Sequence, residues 1–217
     1  MTTDTSPTGM AATPTPGQTR GDPRRFNVKS WLWWTVAFVS FPIAGIAAQA
    51  AVGRVNDAVA ALAGGLIAGA VIGTGQWLAA RRLLGDPLAW IAATAAAMGV
   101  GLLAGSWVVG YGTSVGELAL MGAITGLPIG AVQAFLLRGR VAYPWVWAAA
   151  IPPLWALGWT VTAAAGVGVD RQYAVFGAFG AITFMALSGI VLDRLRAAAT
   201  PAAPSPPHSP PTATAQP

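Results

Sequence analysis

Residues 65–82 read Gly-Leu-Ile-Ala-Gly-Ala-Val-Ile-Gly-Thr-Gly-Gln-Trp-Leu-Ala-Ala-Arg-Arg. Glycine recurs at every fourth position (Gly65, Gly69, Gly73), one amide follows at Gln76, and two arginines end an otherwise apolar run. Residues four apart share one face of a helix, and small residues on such a face let a neighbouring helix approach backbone to backbone. The segment recurs 57 residues later as Gly122, Gly126, Gly130, Gln133 and Arg138. The same offset carries Pro87 to Pro144, Trp90 to Trp147 and Gly101 to Gly158, and runs back from Trp90 to Trp33. A fixed period of this kind marks a repeated supersecondary unit.

The composition places that unit in a membrane. Of 217 residues, 55% are hydrophobic and only 9% charged, and the mean hydropathy is +0.60. A water-facing surface needs about 25% charged residues, so most of this chain faces lipid or itself. The formal net charge of +5 does not argue for nucleic acid, because the basic residues flank apolar spans, where topology accounts for them. No cysteine is present, which excludes disulfides, thiolate metal sites and cysteine nucleophiles. One lysine against eleven arginines, with abundant alanine and glycine, fits a high-GC bacterial genome.

Six apolar spans are expected, at about 31–52, 58–80, 87–110, 115–137, 144–166 and 173–192. Each approaches the ~20 residues that cross a bilayer core. Backbone polar groups in lipid must be satisfied within the segment, so the spans are helices. The first also carries features of a cleavable leader, with a basic flank and Ala48-Gln49-Ala50. Its apolar stretch exceeds the usual leader core, so it is read as retained. Asn56-Asp57, Thr113-Ser114 and Asp170-Arg171 fall at equivalent positions before the even spans, as helix caps do. Ser30, Pro87 and Pro144 align before the odd ones.

The fold class expected is therefore all-α membrane, six helices forming three parallel two-helix repeats of about 57 residues. The third repeat is the most degraded, with Gly177-x-x-x-Ala181 in place of the stripe and no glutamine after it. With the N-terminus inside, ten basic residues face the cytoplasm: Arg20, Arg24, Arg25, Lys29, Arg81, Arg82, Arg138, Arg140, Arg194 and Arg196. Only Arg54 and Arg171 lie outside. That asymmetry puts both termini in the cytoplasm of a bacterial cell (inner) membrane protein. Trp31, Trp33, Trp34, Trp77, Trp90, Trp145 and Trp147 are expected in the inner aromatic belt, with Trp107, Tyr111 and Tyr173 outside. Residues 1–29 form a disordered cytoplasmic tail with a basic juxtamembrane cluster, 30–196 the transmembrane domain, and 197–217 a disordered Pro/Ala-rich tail.

Few residues carry chemistry. Glu117 follows Ser114 by three positions, the spacing of a capping box, and Asp86 before Pro87 reads as a cap. His208 stands alone in the C-terminal tail, with no partner at metal-ligand spacing. No serine has an activating histidine or lysine. Pro42, Pro128, Pro152 and Pro153 read as kinks in their helices. No catalytic, cofactor-binding or metal residue is expected, and no cofactor. The site residues are those of helix packing: Gly65, Gly69, Gly73, Gln76, Gly122, Gly126, Gly130 and Gln133. Gln76 lies eleven positions from Gly65 and roughly 20° round the helix, so each glutamine shares its glycine face and is expected to bond across to a neighbouring helix.

At Gly73-x-x-Gln76-Trp77-Leu78, Arg81-Arg82 and Trp90 the chain resembles a group of uncharacterised bacterial multi-pass membrane proteins. Those proteins repeat a Gly-x-x-Gln-Trp-Leu…Arg-Arg…Trp…Gly pattern over the six spans. The second copy departs from it with Ala134 in the tryptophan position, and the resemblance implies no activity. The function expected is non-catalytic: a structural, scaffolding or regulatory integral membrane protein. Its partners would be the lipid bilayer and other membrane proteins or further copies of itself, not nucleic acid. The alternative is a small-solute transporter or channel, whose three two-helix repeats would be similar to those of the mitochondrial carriers. The charged gate motif of that family is missing from the odd helices. A membrane enzyme is the third and weakest reading.

Overall fold

The computed structural model describes residues 26–167 and 173–199. Most of the expected tails (residues 1–25 and 200–217), with Arg20, Arg24, Arg25, His208 and the cap at Asp170-Arg171, lies outside the described residues, whereas Val28–Lys29 and Ala197–Ala199, expected in the tails, are helical. The protein is all-helical, with α1 (Val28–Val36), α2 (Ser40–Val52), α3 (Ala58–Leu84), α4 (Pro87–Val108), α5 (Val115–Leu136), α6 (Pro144–Ala164) and α7 (Ala178–Ala199). A 3-10 turn, Ala37–Val39, joins α1 to α2 into one span. Among the described residues, six helical spans are thus long and apolar enough to cross a membrane. The last departs from the expected bounds. It starts at Ala178 rather than Tyr173 and runs to Ala199, past Arg194 and Arg196.

Side chains start most of these helices. Asp57 accepts from the Ala60 amide at 2.8 Å, and Asp86 from the Ala89 amide at 2.7 Å. Ser114 and Glu117 form the full capping box: the Ser114 amide donates to Glu117 Oε2 at 2.9 Å and the Glu117 amide to Ser114 Oγ at 3.4 Å. Ser114→Ala removes half of this exchange and should cost about 1 kcal/mol, read as a lower melting temperature in detergent. An unchanged melting temperature would mean that the end of α5 is held by other contacts. The first helix starts earlier than Ser30, because Asn27 is the cap and accepts from the Ser30 amide at 3.0 Å.

The prolines act unequally. Pro42 has no N–H for the carbonyl four residues back, Phe38, and its ring crowds that carbonyl. The 3-10 turn sits at that place, Ala37–Val39. By contrast α5 and α6 run as single helices through Pro128, Pro152 and Pro153. A break the sequence does not announce lies in α3 at Ala80, where φ −131° and ψ 28° leave the helical region just before Arg81. Gly85 then ends α3 at φ 76°, a conformation that costs a residue with a Cβ more than glycine. The Trp77 indole donates to the Gly85 carbonyl at 2.9 Å.

Each helix packs on the next in the chain, and the first span returns against the last. Trp34 Nε1 donates to Ser188 Oγ at 3.0 Å, Trp31 Nε1 to the Ala186 carbonyl at 2.9 Å, and the Asn27 amide to Asp193 Oδ1 at 3.2 Å. At this same end the Ala142 amide donates to the Leu195 carbonyl at 3.0 Å. Arg140 lies against Gly85 there too. The start of α1 and the ends of α3, α5 and α7 therefore share one face of the bundle, and Lys29, Arg81, Arg82, Arg138, Arg140, Arg194 and Arg196 gather on it. Toward the other end, Phe41, Trp155, Phe176 and Phe184 form an aromatic cluster with ring centroids 4.9–6.1 Å apart.

Burial divides the expected aromatic belt. Trp33 (59% exposed), Trp145 (67%) and Trp107 (76%) point outward as belt residues do, but Trp34, Trp90 and Trp147 are core, each at most 2% exposed. The offset from Trp90 back to Trp33 accordingly fails by one residue. A one-residue step turns a helix by about 100°, and it is Trp34 that takes the buried place.

Candidate functional site

The two glycine stripes seat the next helix of the chain. A Cβ added at Gly65 would lie 2.7 Å from the Gly99 Cα, and one at Gly69 would lie 2.7 Å from the Ala95 Cα, both in α4. Gly73 meets the same helix less tightly, at 3.2 Å from Thr94 Cβ. On α5, added Cβ atoms at Gly122, Gly126 and Gly130 would meet Trp159, Pro152 and Ala148 of α6 at 2.7–2.8 Å. The sequence reading named these six glycines for helix packing, and at each the nearest backbone atom of the neighbouring helix lies 2.7–3.3 Å from the added Cβ. It missed Gly101 and Gly105 as a pair: the second face of α4 packs on Thr125 and Met121 of α5 by the same device. In the last helix the close approach is made by Gly180 against the Gly158 carbonyl. Gly177, expected in that role, precedes the helix.

Tight glycine contacts bring Gln76 and Gln133 together. Both are buried, at 2% and 0% exposed. Gln133 Nε2 donates to Gln76 Oε1 at 3.0 Å and to Thr94 Oγ1 at 3.2 Å, and its Oε1 accepts from Trp147 Nε1 at 3.1 Å. One amide thereby ties α3, α4, α5 and α6. A neutral amide has two N–H donors and one carbonyl oxygen, and Gln133 uses all three groups. The glutamines are equivalent in sequence but unequal in the fold. Trp90 stands to Gln76 as Trp147 does to Gln133, yet Trp90 Nε1 is buried with no hydrogen-bond partner.

Outside this network lie two adjoining hollows. The first, of about 680 Å³, opens on the basic end between the start of α1 and the ends of α3 and α7. Lys29, Arg81, Arg82 and Arg196 line it, with Asp193. Asp193 is 7% exposed, and its Oδ2 is without a hydrogen-bond partner. The second, of about 450 Å³, is an apolar groove along the outside of the bundle between the first span and α3, with Val36, Ile43, Val71 and Thr74 among its walls. Ser40 and Gly75 meet in it, and a Cβ on Gly75 would lie 2.6 Å from Ser40 Cβ. Trp33, Leu78 and Ala79 border both hollows. Neither was foreseen; Ala37 and Val39 of the 3-10 turn line the groove, and Ala80 lines the crevice. Among the described residues, no group of three or more acidic or histidine side chains is placed to hold a metal ion.

No family model, curated protein or solved structure matches the chain.

Proposed function

We propose that this chain is a non-catalytic integral membrane protein of a bacterial cell membrane, with a structural, scaffolding or regulatory role. It is built as three parallel two-helix repeats with both termini in the cytoplasm. The observation that carries the reading is Gln133. In a solute pathway a buried amide keeps donors or acceptors for the passing solute, whereas all the hydrogen-bonding groups of Gln133 are engaged by Gln76, Thr94 and Trp147. The glycine faces, which could line a narrow pore, are instead filled by neighbouring backbone. The partners of such a protein are the bilayer and other membrane proteins, or further copies of itself.

Orientation follows from the basic end. Seven basic residues among the described ones gather there and Arg54 stands at the opposite end, the asymmetry that marks a cytoplasmic face. Reporter fusions after Arg82, Arg140 and Arg196 should all report the cytoplasm, and fusions near Asp57 and Thr113 the outside. One inverted hairpin would overturn the parallel arrangement. The role itself is tested in proteoliposomes. Vesicles holding the wild-type chain should pass sodium, potassium and small neutral solutes no faster than empty ones. A flux above that background which the Gln76→Leu/Gln133→Leu double variant abolishes would replace this reading with a transporter or channel.

A further inference from the structure

We propose that the basic crevice and the apolar groove beside it are one binding site for an anionic glycerophospholipid. It would come from the leaflet that meets the basic end. The phosphate would lie among Lys29, Arg81, Arg82 and Arg196, and an acyl chain would run along the groove between the first span and α3.

The chemistry of the crevice selects an anion. Four cationic side chains line it against one carboxylate, Asp193. Guanidinium groups bind phosphate oxygens by charge-assisted hydrogen bonds, and basic pockets between transmembrane helices suit acidic headgroups. Asp193 has a different part. It lies on α7 and accepts from the Asn27 amide at 3.2 Å, so it pins the start of α1, and with it Lys29, to the crevice wall. Arg81 and Arg82 follow directly on the break at Ala80, and both are exposed.

The groove selects a lipid over a soluble phosphate. It shares Trp33, Leu78 and Ala79 with the crevice, so headgroup and chain positions are continuous. Apart from Ser40 and Thr74 its walls are apolar: Val36 is 52% exposed, Ile43 52% and Leu78 59%. Two regular helices packed along their length would close such a cleft. Here the 3-10 turn lies in one wall of the groove, and α3 loses helical geometry at Ala80, in the adjoining crevice.

Native mass spectrometry of the full chain in detergent tests this. The probes are phosphatidylglycerol and phosphatidylcholine with matched acyl chains, supplied in equal amounts, with glycerol 3-phosphate as competitor. One phosphatidylglycerol should be retained over phosphatidylcholine by about tenfold, a preference that Arg81→Gln with Arg82→Gln removes. Thr74→Trp, on the exposed side of α3, should block the groove and lower retention on the order of tenfold with the arginines intact. Glycerol 3-phosphate at millimolar concentration should not displace the lipid. Equal retention of the two lipids, or an arginine variant that keeps the preference, would show nonspecific lipid and overturn the proposal. Displacement by glycerol 3-phosphate, with Thr74→Trp unaffected, would show a soluble-phosphate site and overturn it equally. Since both substituted regions are surface, circular dichroism should show folded variants, and none of these readings depends on whether the protein conducts solute.

Discussion

Gly126→Leu is expected to leave little or no folded protein in detergent, and Gly69→Leu to do nearly the same. A Cβ at Gly126 would sit 2.7 Å from the Pro152 Cα and 3.1 Å from the Ile151 carbonyl, and one at Gly69 2.7 Å from the Ala95 Cα. These neighbours are backbone. They cannot rotate aside, so the whole of α6 or α4 must move away. Overpacking a tight contact costs about 1–3 kcal/mol even where side chains yield, and displacing α6 also disturbs the Trp147 bond to Gln133. Gly116 supplies the control, because it lies in the same helix with nothing within 4 Å of an added Cβ. Thermal unfolding followed by size-exclusion chromatography should separate the two cleanly. If Gly126→Leu melted like Gly116→Leu, the glycine stripe would not be the contact that holds α5 to α6.

The second large effect is at Gln133. Gln133→Leu strips the partner from Gln76 Oε1, Thr94 Oγ1 and Trp147 Nε1 at once. Interhelical hydrogen bonds in membranes are each worth about 0.6–2 kcal/mol, and buried groups left unpaired add to the loss. The variant should lose roughly 2–4 kcal/mol on this basis. Gln76→Leu breaks one of these bonds and should lose only about 1 kcal/mol. Steric unfolding at the same denaturant concentrations would rank them, with the double variant scarcely below Gln133→Leu because both lack the bond they share. Equal losses from the two single variants would argue that the amides act independently of the Trp147 and Thr94 bonds.

That inequality shows where sequence reading stops. The number of spans, most of their ends and the faces of Gly65, Gly69, Gly122 and Gly126 were legible, because lipid imposes length and a four-residue period imposes a face. Ser114, Glu117, Asp57 and Asp86 were legible as caps because their chemistry is local. Gln76 and Gln133 could be placed on the glycine faces, but their unequal bonding depends on how four helices converge, which a period of 57 cannot express. Trp33 and Trp34 differ by one position, and only packing against Ser188 and Trp147 decides which is buried. The break at Ala80 and the hollows beside it had no signal at all, for no proline or glycine stands at that point of α3.

The return of the first span against the last also sets an order of events. Trp34 meets Ser188, 154 residues further along the chain, and Phe41 stacks on Phe176 at 5.1 Å. Neither partner exists when the first span leaves the ribosome. At about 5–20 residues per second, synthesis alone keeps this face waiting roughly 10–30 s. During that interval the indole N–H of Trp34 and the ring of Phe41 must be covered by lipid or by an insertion factor. A span made well before its partner is thus finished only after it, and damage to α7 should be felt first as loss of the nascent span that carries Trp34.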